Sequence, residues 1–172
     1  MEGKYVNESR AVKSAWVMPQ DTNAHGTMFG GKLMSYIDDI AAITATRHAR
    51  RPVVTASTDS VDFLYPIKPG SSVCLEAFVS WTHRSSMEIF VKVIAEDLIS
   101  GERKIATTSF LTFVALDENG RPTEVPPVIP QSDEEIMLHE SGPDRHEVRK
   151  VRKENSRKFA SVFTLKKPWE RD

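Results

Sequence analysis

Gly30-Gly-Lys-Leu-Met-Ser-Tyr-Ile-Asp-Asp-Ile-Ala-Ala-Ile-Thr-Ala-Thr-Arg-His48 is the stretch on which the fold turns. Leu33, Ile37, Ile40, Ala41 and Thr44 recur every three or four residues, the period of a helix with one apolar stripe. The spacing predicts a helix from Gly30 to about His48. Arg47, Arg50 and Arg51 fall at or just past its end, where positive charge suits the helix dipole, and Pro52 stops it. On a wheel of about 100° per residue the stripe centres between Ile37 and Ala41, which puts Asp38 on its margin and turns Asp39 toward solvent. Asp38 stands two turns in from the helix start, near the small residues Ala41, Ala42 and Ala45. That leaves room for a cleft, although an ordinary half-exposed carboxylate satisfies the same pattern.

Upstream, Ala11 to Val17 reads as a short strand, and Met18-Pro-Gln-Asp-Thr-Asn-Ala-His-Gly26 supplies turn formers with little apolar content. Downstream, four strands are predicted, over 53–64, 72–82, 87–97 and 104–116. The breaks fall at Pro66-Ile-Lys-Pro-Gly70, His83-Arg-Ser-Ser86 and Ser100-Gly-Glu102, and three of the four strands are joined by turns short enough for antiparallel hairpins. Val73, Leu75, Ala77, Val79 and Trp81 alternate with more polar neighbours, as do Ile89, Val91, Val93 and Ala95, so one sheet face needs an apolar cover. The long helix is the only candidate for that cover. The pattern is α+β, an antiparallel sheet wrapped around one central helix, which is the hotdog arrangement.

The size of the chain, 172 residues, is about one domain's worth, and 40% hydrophobic with 27% charged residues is a soluble composition. Neither a spanning segment nor a secretory signal is evident, so the expected compartment is the cytoplasm and no membrane partner is expected. A net charge of −1 gives no overall drive toward nucleic acid. Cys74 is the single cysteine, read as a buried strand thiol; it excludes an internal disulfide, and the five histidines show no ligand spacing. No metal or other cofactor is expected. Pro122, Pro126, Pro127 and Pro130 mark a stiff connector, dividing the chain into a domain over 8–127 and a charged helical tail over 128–172. From Asp144 to Lys158 the tail holds seven Lys/Arg against three Asp/Glu, read as an exposed helix with a packing or subunit-contact role.

The loop before the helix and the helix start carry the chemistry. Gly26, Gly31 and Lys32 fit the glycine and lysine spacing of a phosphate loop, but Leu33 stands where a hydroxyl must hold magnesium and no buried strand precedes the loop. That reading is rejected. What remains is a glycine-rich helix start, where Gly30 and Gly31 let a ligand approach unpaired N–H groups that favour negative charge, as on a developing oxyanion. Close packing of the helix on the sheet accounts for the same glycines. Asn23 is, on its own, a turn residue. No Gly-x-Ser-x-Gly nucleophile elbow is present.

Taken together, Asp21-Thr-Asn-Ala-His-Gly-Thr-Met-Phe-Gly-Gly-Lys-Leu-Met-Ser-Tyr-Ile-Asp38 resembles the acyl-CoA thioesterase family of hotdog enzymes, which includes brain-type and bacterial acyl-CoA hydrolases. Val53-Val-Thr-Ala-Ser, Val61-Asp-Phe-Leu-Tyr-Pro-Ile-Lys-Pro-Gly70, Arg84-Ser-Ser-Met-Glu-Ile89 and Phe110-Leu-Thr-Phe-Val-Ala-Leu116 follow in the family's order, so the resemblance covers about Arg10 to Pro127. It implies hydrolysis of acyl-CoA to fatty acid and coenzyme A. In that reading Asp38 is general base or nucleophile, Asn23 orients water or the carbonyl, and Thr55 lies near the reacting centre. Backbone N–H groups of Gly30 and Gly31 polarise the carbonyl. It further implies that Arg84, Ser85 and Ser86 meet the coenzyme A phosphates, with His83 where the family usually has glycine. Asn and Asp of one site come from different subunits, which makes the expected partner a second copy, as a dimer and by family analogy a trimer of dimers. An acyl-CoA-binding sensor without turnover, and hotdog dehydratase or isomerase chemistry, are the alternatives.

Overall fold

The computed structural model describes residues 1–170. Its elements are β1 (Lys4–Tyr5), β2 (Ala11–Trp16), α1 (Gly30–Ala49), β3 (Val53–Phe63), β4 (Ser72–Thr82), β5 (Ser86–Glu96), β6 (Arg103–Ala115), β7 (Val128–Ile129), α2 (Asp133–Glu140) and α3 (Gly142–Val162). The chain forms two compact units, Met1–His139 and Glu140–Asp172. The first runs past the proline connector because β1 pairs with β7, Lys4 opposite Val128, and because α2 is bonded to the sheet.

β2, β4, β5, β6 and β3 form one antiparallel sheet in that order. The hairpins β4–β5 and β5–β6 follow from their short turns. β3 crosses over instead, pairing with β6 and leaving its other side as the sheet's edge. Leu33, Ile37, Ile40, Ala41 and Ala45 on α1 are buried against Val73, Leu75, Ala77, Val79, Ile89, Val91 and Val93, so the helical and strand periods meet in one core. Inside it Thr44 Oγ1 donates to the Ala77 carbonyl at 3.4 Å. α1 ends at Arg50, whose φ of 51° is left-handed and whose N–H donates to Thr46 O at 2.8 Å.

The other sheet face carries polar side chains partly shielded from water. Arg10 bonds Glu76 and Glu135, its guanidinium 4.7 Å from the centre of the Phe78 ring, while Lys92 lies 3.2 Å from Glu76 and 2.8 Å from Glu134. Burial alone would lower the Lys92 pKa, but the bonds to Glu134 and Glu76 outweigh it and raise it. These bonds fix α2, which hydropathy patterning alone leaves unassigned. Cys74 shares this face and is half-buried, a correction to the buried thiol expected, because Val73 and Leu75 take the inward positions beside it.

His48 closes the first unit from within. It has no exposed surface; Nε2 donates to Pro126 O at 2.8 Å, Nδ1 accepts from Ser9 Oγ at 3.4 Å, and Lys4 Nζ donates to the His48 carbonyl at 2.7 Å. Burial lowers its pKa, the Pro126 bond opposes that shift, and Lys4 lowers it further. In the second unit α3 continues past Lys158, where the charged run ends, to Val162. Lys150–Glu147 and Lys158–Glu154 pairs lie along it, and the Phe159 and Phe163 rings stack 6.3 Å apart. No described helix is long and apolar enough to cross a membrane.

Two expectations follow. Ile37→Ala opens a cavity between α1 and the sheet and costs about 2–5 kcal/mol, read as a lower urea midpoint at unchanged slope. For His48 the sign is fixed by its lowered pKa. As pH falls through the ordinary value of 6.5, the unfolded chain takes up a proton that the folded chain refuses, so stability declines on acidification. Between about pH 7.5 and about pH 5.5, His48→Gln is expected to lose less stability than the parent chain; equal losses in a urea series would remove His48 from the account.

Candidate active site

The core fixes the rotation of α1, and that rotation distributes the candidate residues. Met18 leads through a 3-10 turn at Pro19–Asp21 into the loop, closed by a bridge between Thr22 and Met28. Within it Asn23 is the organiser. Its Oδ1 accepts from His25 N at 2.9 Å and Thr27 N at 3.3 Å, its Nδ2 donates to Thr27 Oγ1 at 3.1 Å, and its N–H donates to Thr27 O at 2.8 Å. The turn role expected of an asparagine is thus realised, while the residue also lines a cavity of about 410 Å³.

α1 begins without a side-chain cap. Phe29 O takes the N–H groups of Lys32 and Leu33 at 3.0 and 3.2 Å, which leaves the Gly30 and Gly31 N–H groups without a protein acceptor among the described residues. Both glycines also serve packing. A first side-chain carbon at Gly31 would fall 2.6 Å from the Phe29 ring, and one at Gly30 would fall 3.3 Å from the Phe63 ring. Of the two, Gly30 meets the sheet, at the end of β3, whereas Gly31 meets the residue before the helix. Lys32 points back toward Asp21, 3.8 Å away, and across the Tyr36 ring.

Asp38 is exposed, and Thr55 Oγ1 donates to its Oδ1 at 3.1 Å. Thr55 stands immediately before a register shift in β3, between Thr55 and Ser57, where a bulge re-aims side chains. Asp39, one residue on, is held by Lys13 at 2.7 Å, whereas Asp38 has no cationic partner among the described residues. A carboxylate bonded by one hydroxyl and not neutralised by a cation keeps lone pairs for a base or nucleophile.

Arg84, Ser85 and Ser86 are together at the β4–β5 turn. His83 N donates to Ser86 O at 2.9 Å, Ala115 N to Ser85 O at 3.0 Å and Val125 N to Arg84 O at 3.1 Å, so the turn's carbonyls face protein and the Arg84 side chain is exposed. His83, in place of glycine, stacks on Trp81 with ring centres 5.7 Å apart. Ser86 pairs with Val114, and Val114 with Val54, which sets the turn at the same end of the sheet as Thr55.

Within one chain, then, two groups form. Asn23 joins Gly30 at the cavity, and Asp38 joins Thr55 near the Arg84 turn. Asp38 is eight residues beyond Gly30, about 12 Å of helix rise, so the chain does not bring Asn23 and Asp38 to one point. Sequence reasoning did not single out the far wall of the cavity, Phe63 to Ile67, or Thr27, the partner that holds Asn23. The proline-bracketed run Pro66-Ile-Lys-Pro69 was its one available signal, a stiff strand exit beside the loop.

Residues 25–101 match the model of the thioesterase superfamily. An uncharacterized acyl-CoA thioester hydrolase, YkhA, of Bacillus subtilis is 58% identical over 98% of this chain and 98% of its own length. The cytosolic acyl coenzyme A thioester hydrolase of Rattus norvegicus is 34% identical over 76% of this chain; the chain spans only 35% of that longer relative. Among solved structures, an acyl-CoA hydrolase from Staphylococcus aureus in complex with butyryl coenzyme A, coenzyme A and coenzyme A disulfide superposes with a TM-score of 0.88 at 49% identity, covering 92% of this chain and 96% of that one. Alanine variants of the S. aureus enzyme replace an asparagine, an aspartate and a threonine, spaced fifteen and then seventeen positions apart. An apo-hexameric acyl-CoA thioesterase superposes with a TM-score of 0.86 at 50% identity, covering 88% of this chain and 97% of that one. With a hotdog sheet around one helix, the superfamily match and 58% identity to a thioester hydrolase over 98% of both chains, this chain belongs to the acyl-CoA thioester hydrolase family of the thioesterase superfamily.

Proposed function

We propose that the protein is a cytoplasmic hydrolase that converts acyl-CoA and water to a carboxylic acid and free coenzyme A, at a site assembled from two copies of the chain. The observation that carries this reading is Asp38, an exposed carboxylate bonded by Thr55 and left without a cation. A ligand-binding sensor has no use for such a group. Asn23, Asp38 and Thr55 are spaced by the same fifteen and seventeen positions as the residues varied in the S. aureus enzyme, which supports assigning all three to the reacting centre.

The roles proposed for these groups suit their chemistry. The thioester oxygen accepts from the N–H groups of Gly30 and Gly31, which stabilise the oxyanion as negative charge develops. Asn23 lies on the same cavity and orients the carbonyl or the water. Asp38 either takes a proton from water as it adds to the carbonyl carbon or attacks that carbon itself. In the first route a C–O bond forms to water, the C–S bond breaks, and the proton taken by Asp38 passes to the departing thiolate of coenzyme A; in the second an acyl–Asp38 anhydride forms as the C–S bond breaks, and water then cleaves that anhydride, which releases the acid, restores the carboxylate and supplies the proton of the thiol. No metal or redox cofactor is required by this chemistry. The guanidinium of Arg84 and the hydroxyls of Ser85 and Ser86 suit the coenzyme A phosphates.

The two-chain site answers the separation along α1. A carbonyl bound at Gly30 lies beyond reach of Asp38 from the same chain, but not of Asp38 from a partner seated on the exposed face of α1 and the free edge of β3. That surface displays Met34, Ile43 and Val54, each 45–46% exposed. Self-association as a dimer follows, and the apo-hexameric relative supports a trimer of dimers.

Asp38→Ala and Asn23→Ala are each expected to lose about 10²–10⁴-fold in kcat, followed as thiol release from an acyl-CoA. Coexpressed, the two variant chains regain about a quarter of the parent activity, because each mixed dimer has one intact site and one doubly defective site. A site contained within a single chain gives no recovery. Arg84→Ala is expected to raise KM for acyl-CoA about tenfold, in the range of a lost bond to a charged group, while leaving KM unchanged for an N-acetylcysteamine thioester that lacks the nucleotide.

A further inference from the structure

Gly30 has an aromatic ring against it. A first side-chain carbon there would lie 3.3 Å from Phe63 Cζ and 3.6 Å from Cε1. Phe63 ends β3, opposite Thr107, and is 55% exposed at the cavity that Asn23 and Gly30 also line. Its backbone is fixed by its surroundings. Leu64 and Tyr65 N–H both donate to Ala106 O at 2.8 and 3.1 Å, and Met28 N–H donates to Ile67 O at 2.7 Å, tying the strand exit to the loop that precedes α1. Lys104 Nζ donates to Tyr65 Oη at 2.8 Å and holds the next ring aside. The Phe63 ring therefore has rotation about its own side-chain bonds and little else with which to give way.

We infer that Phe63 is a specificity-determining residue, whose ring restricts the substrate class to acyl groups unbranched at the carbon next to the thioester carbonyl. The inference rests on the reading of Gly30 and Gly31 as the carbonyl site of an acyl-CoA hydrolase. A carbonyl oxygen about 2.9 Å from the Gly30 nitrogen brings the adjacent carbon to the side of the helix start where the ring edge lies. A straight chain presents one methylene there, which packs on the ring at about 3.5–4.0 Å. A methyl branch adds a second substituent at the same point. It must turn the ring out of its resting rotamer or tilt the carbonyl off the Gly30 amide; the first costs side-chain strain and the second forfeits the interaction that stabilises the oxyanion. Branching remote from the carbonyl lies away from this ring edge and meets no such limit from it.

Butanoyl-CoA and 2-methylpropanoyl-CoA are isomers that differ in branching at that carbon, and kcat/KM for the two is to be measured with the parent chain, Phe63→Leu and Phe63→Ala. The branched-to-straight ratio is expected to rise roughly 10-fold or more in Phe63→Ala, the usual scale for one methyl group in an apolar pocket, with Phe63→Leu between. A ratio equal to the parent's, or a proportional fall of both rates, overturns the inference. Matched unfolding midpoints separate a change of pocket from a loss of fold. If the parent chain releases no thiol from any of a series of straight-chain acyl-CoAs from acetyl to palmitoyl, the hydrolase reading fails and takes this inference with it; if it does and the ratio stays put, only the role of Phe63 falls.

Discussion

The burial of one apolar stripe of α1 against five strands is the constraint on which the rest of the molecule depends. Leu33, Ile37, Ile40, Ala41 and Ala45 have almost no exposed surface, and their packing leaves the helix a single rotation. That rotation sends Asp38 and Asp39 outward, sets the glycine start over the cavity and brings His48 under Pro126. A helix free to roll by one position would exchange a core side chain for a carboxylate. Core packing and the aim of the candidate groups are one problem with one solution.

Local regularities were legible in the sequence because they are periodic. The helix and the strands begin and end within about two residues of the expected positions, since glycine, proline and alternation mark each boundary. The hotdog arrangement followed from one long helix and the unburied faces of the strands. Strand order was not legible from alternation: β3 lies beyond β6, a pairing between residues far apart in sequence that no local pattern encodes. The short β1–β7 pair and α2 were missed for a related reason. Two-residue strands carry no period, and α2 is held by Glu134 and Glu135 bonding Lys92 and Arg10, not by an apolar stripe.

The candidate site divides along the same line. Asn23, Asp38, Thr55 and the Arg84 turn came from motif order, and the fold adds what motif order lacks, namely which of them share a locale. Asn23 with Gly30 and Asp38 with Thr55 are separate pairs, and the space between them is set by helix rise. Phe63 lies within a strand landmark, yet its contact with Gly30 spans 33 positions and depends on where β3 exits the sheet. Cys74 shows the converse: its place in a strand was plain, but which face it takes required the neighbours' burial.

β3 closes the sheet with eleven residues, nine of them paired and on one side only. A long unpaired edge is a template for other strands, and proteins normally blunt it or cover it. For this chain, covering the edge with a second copy would make folding and association parts of one equilibrium. Stability would then have no fixed value apart from concentration: each dilution shifts mass toward a monomer with an open ladder, and a newly synthesised chain is most prone to misassembly in the interval before its copy arrives.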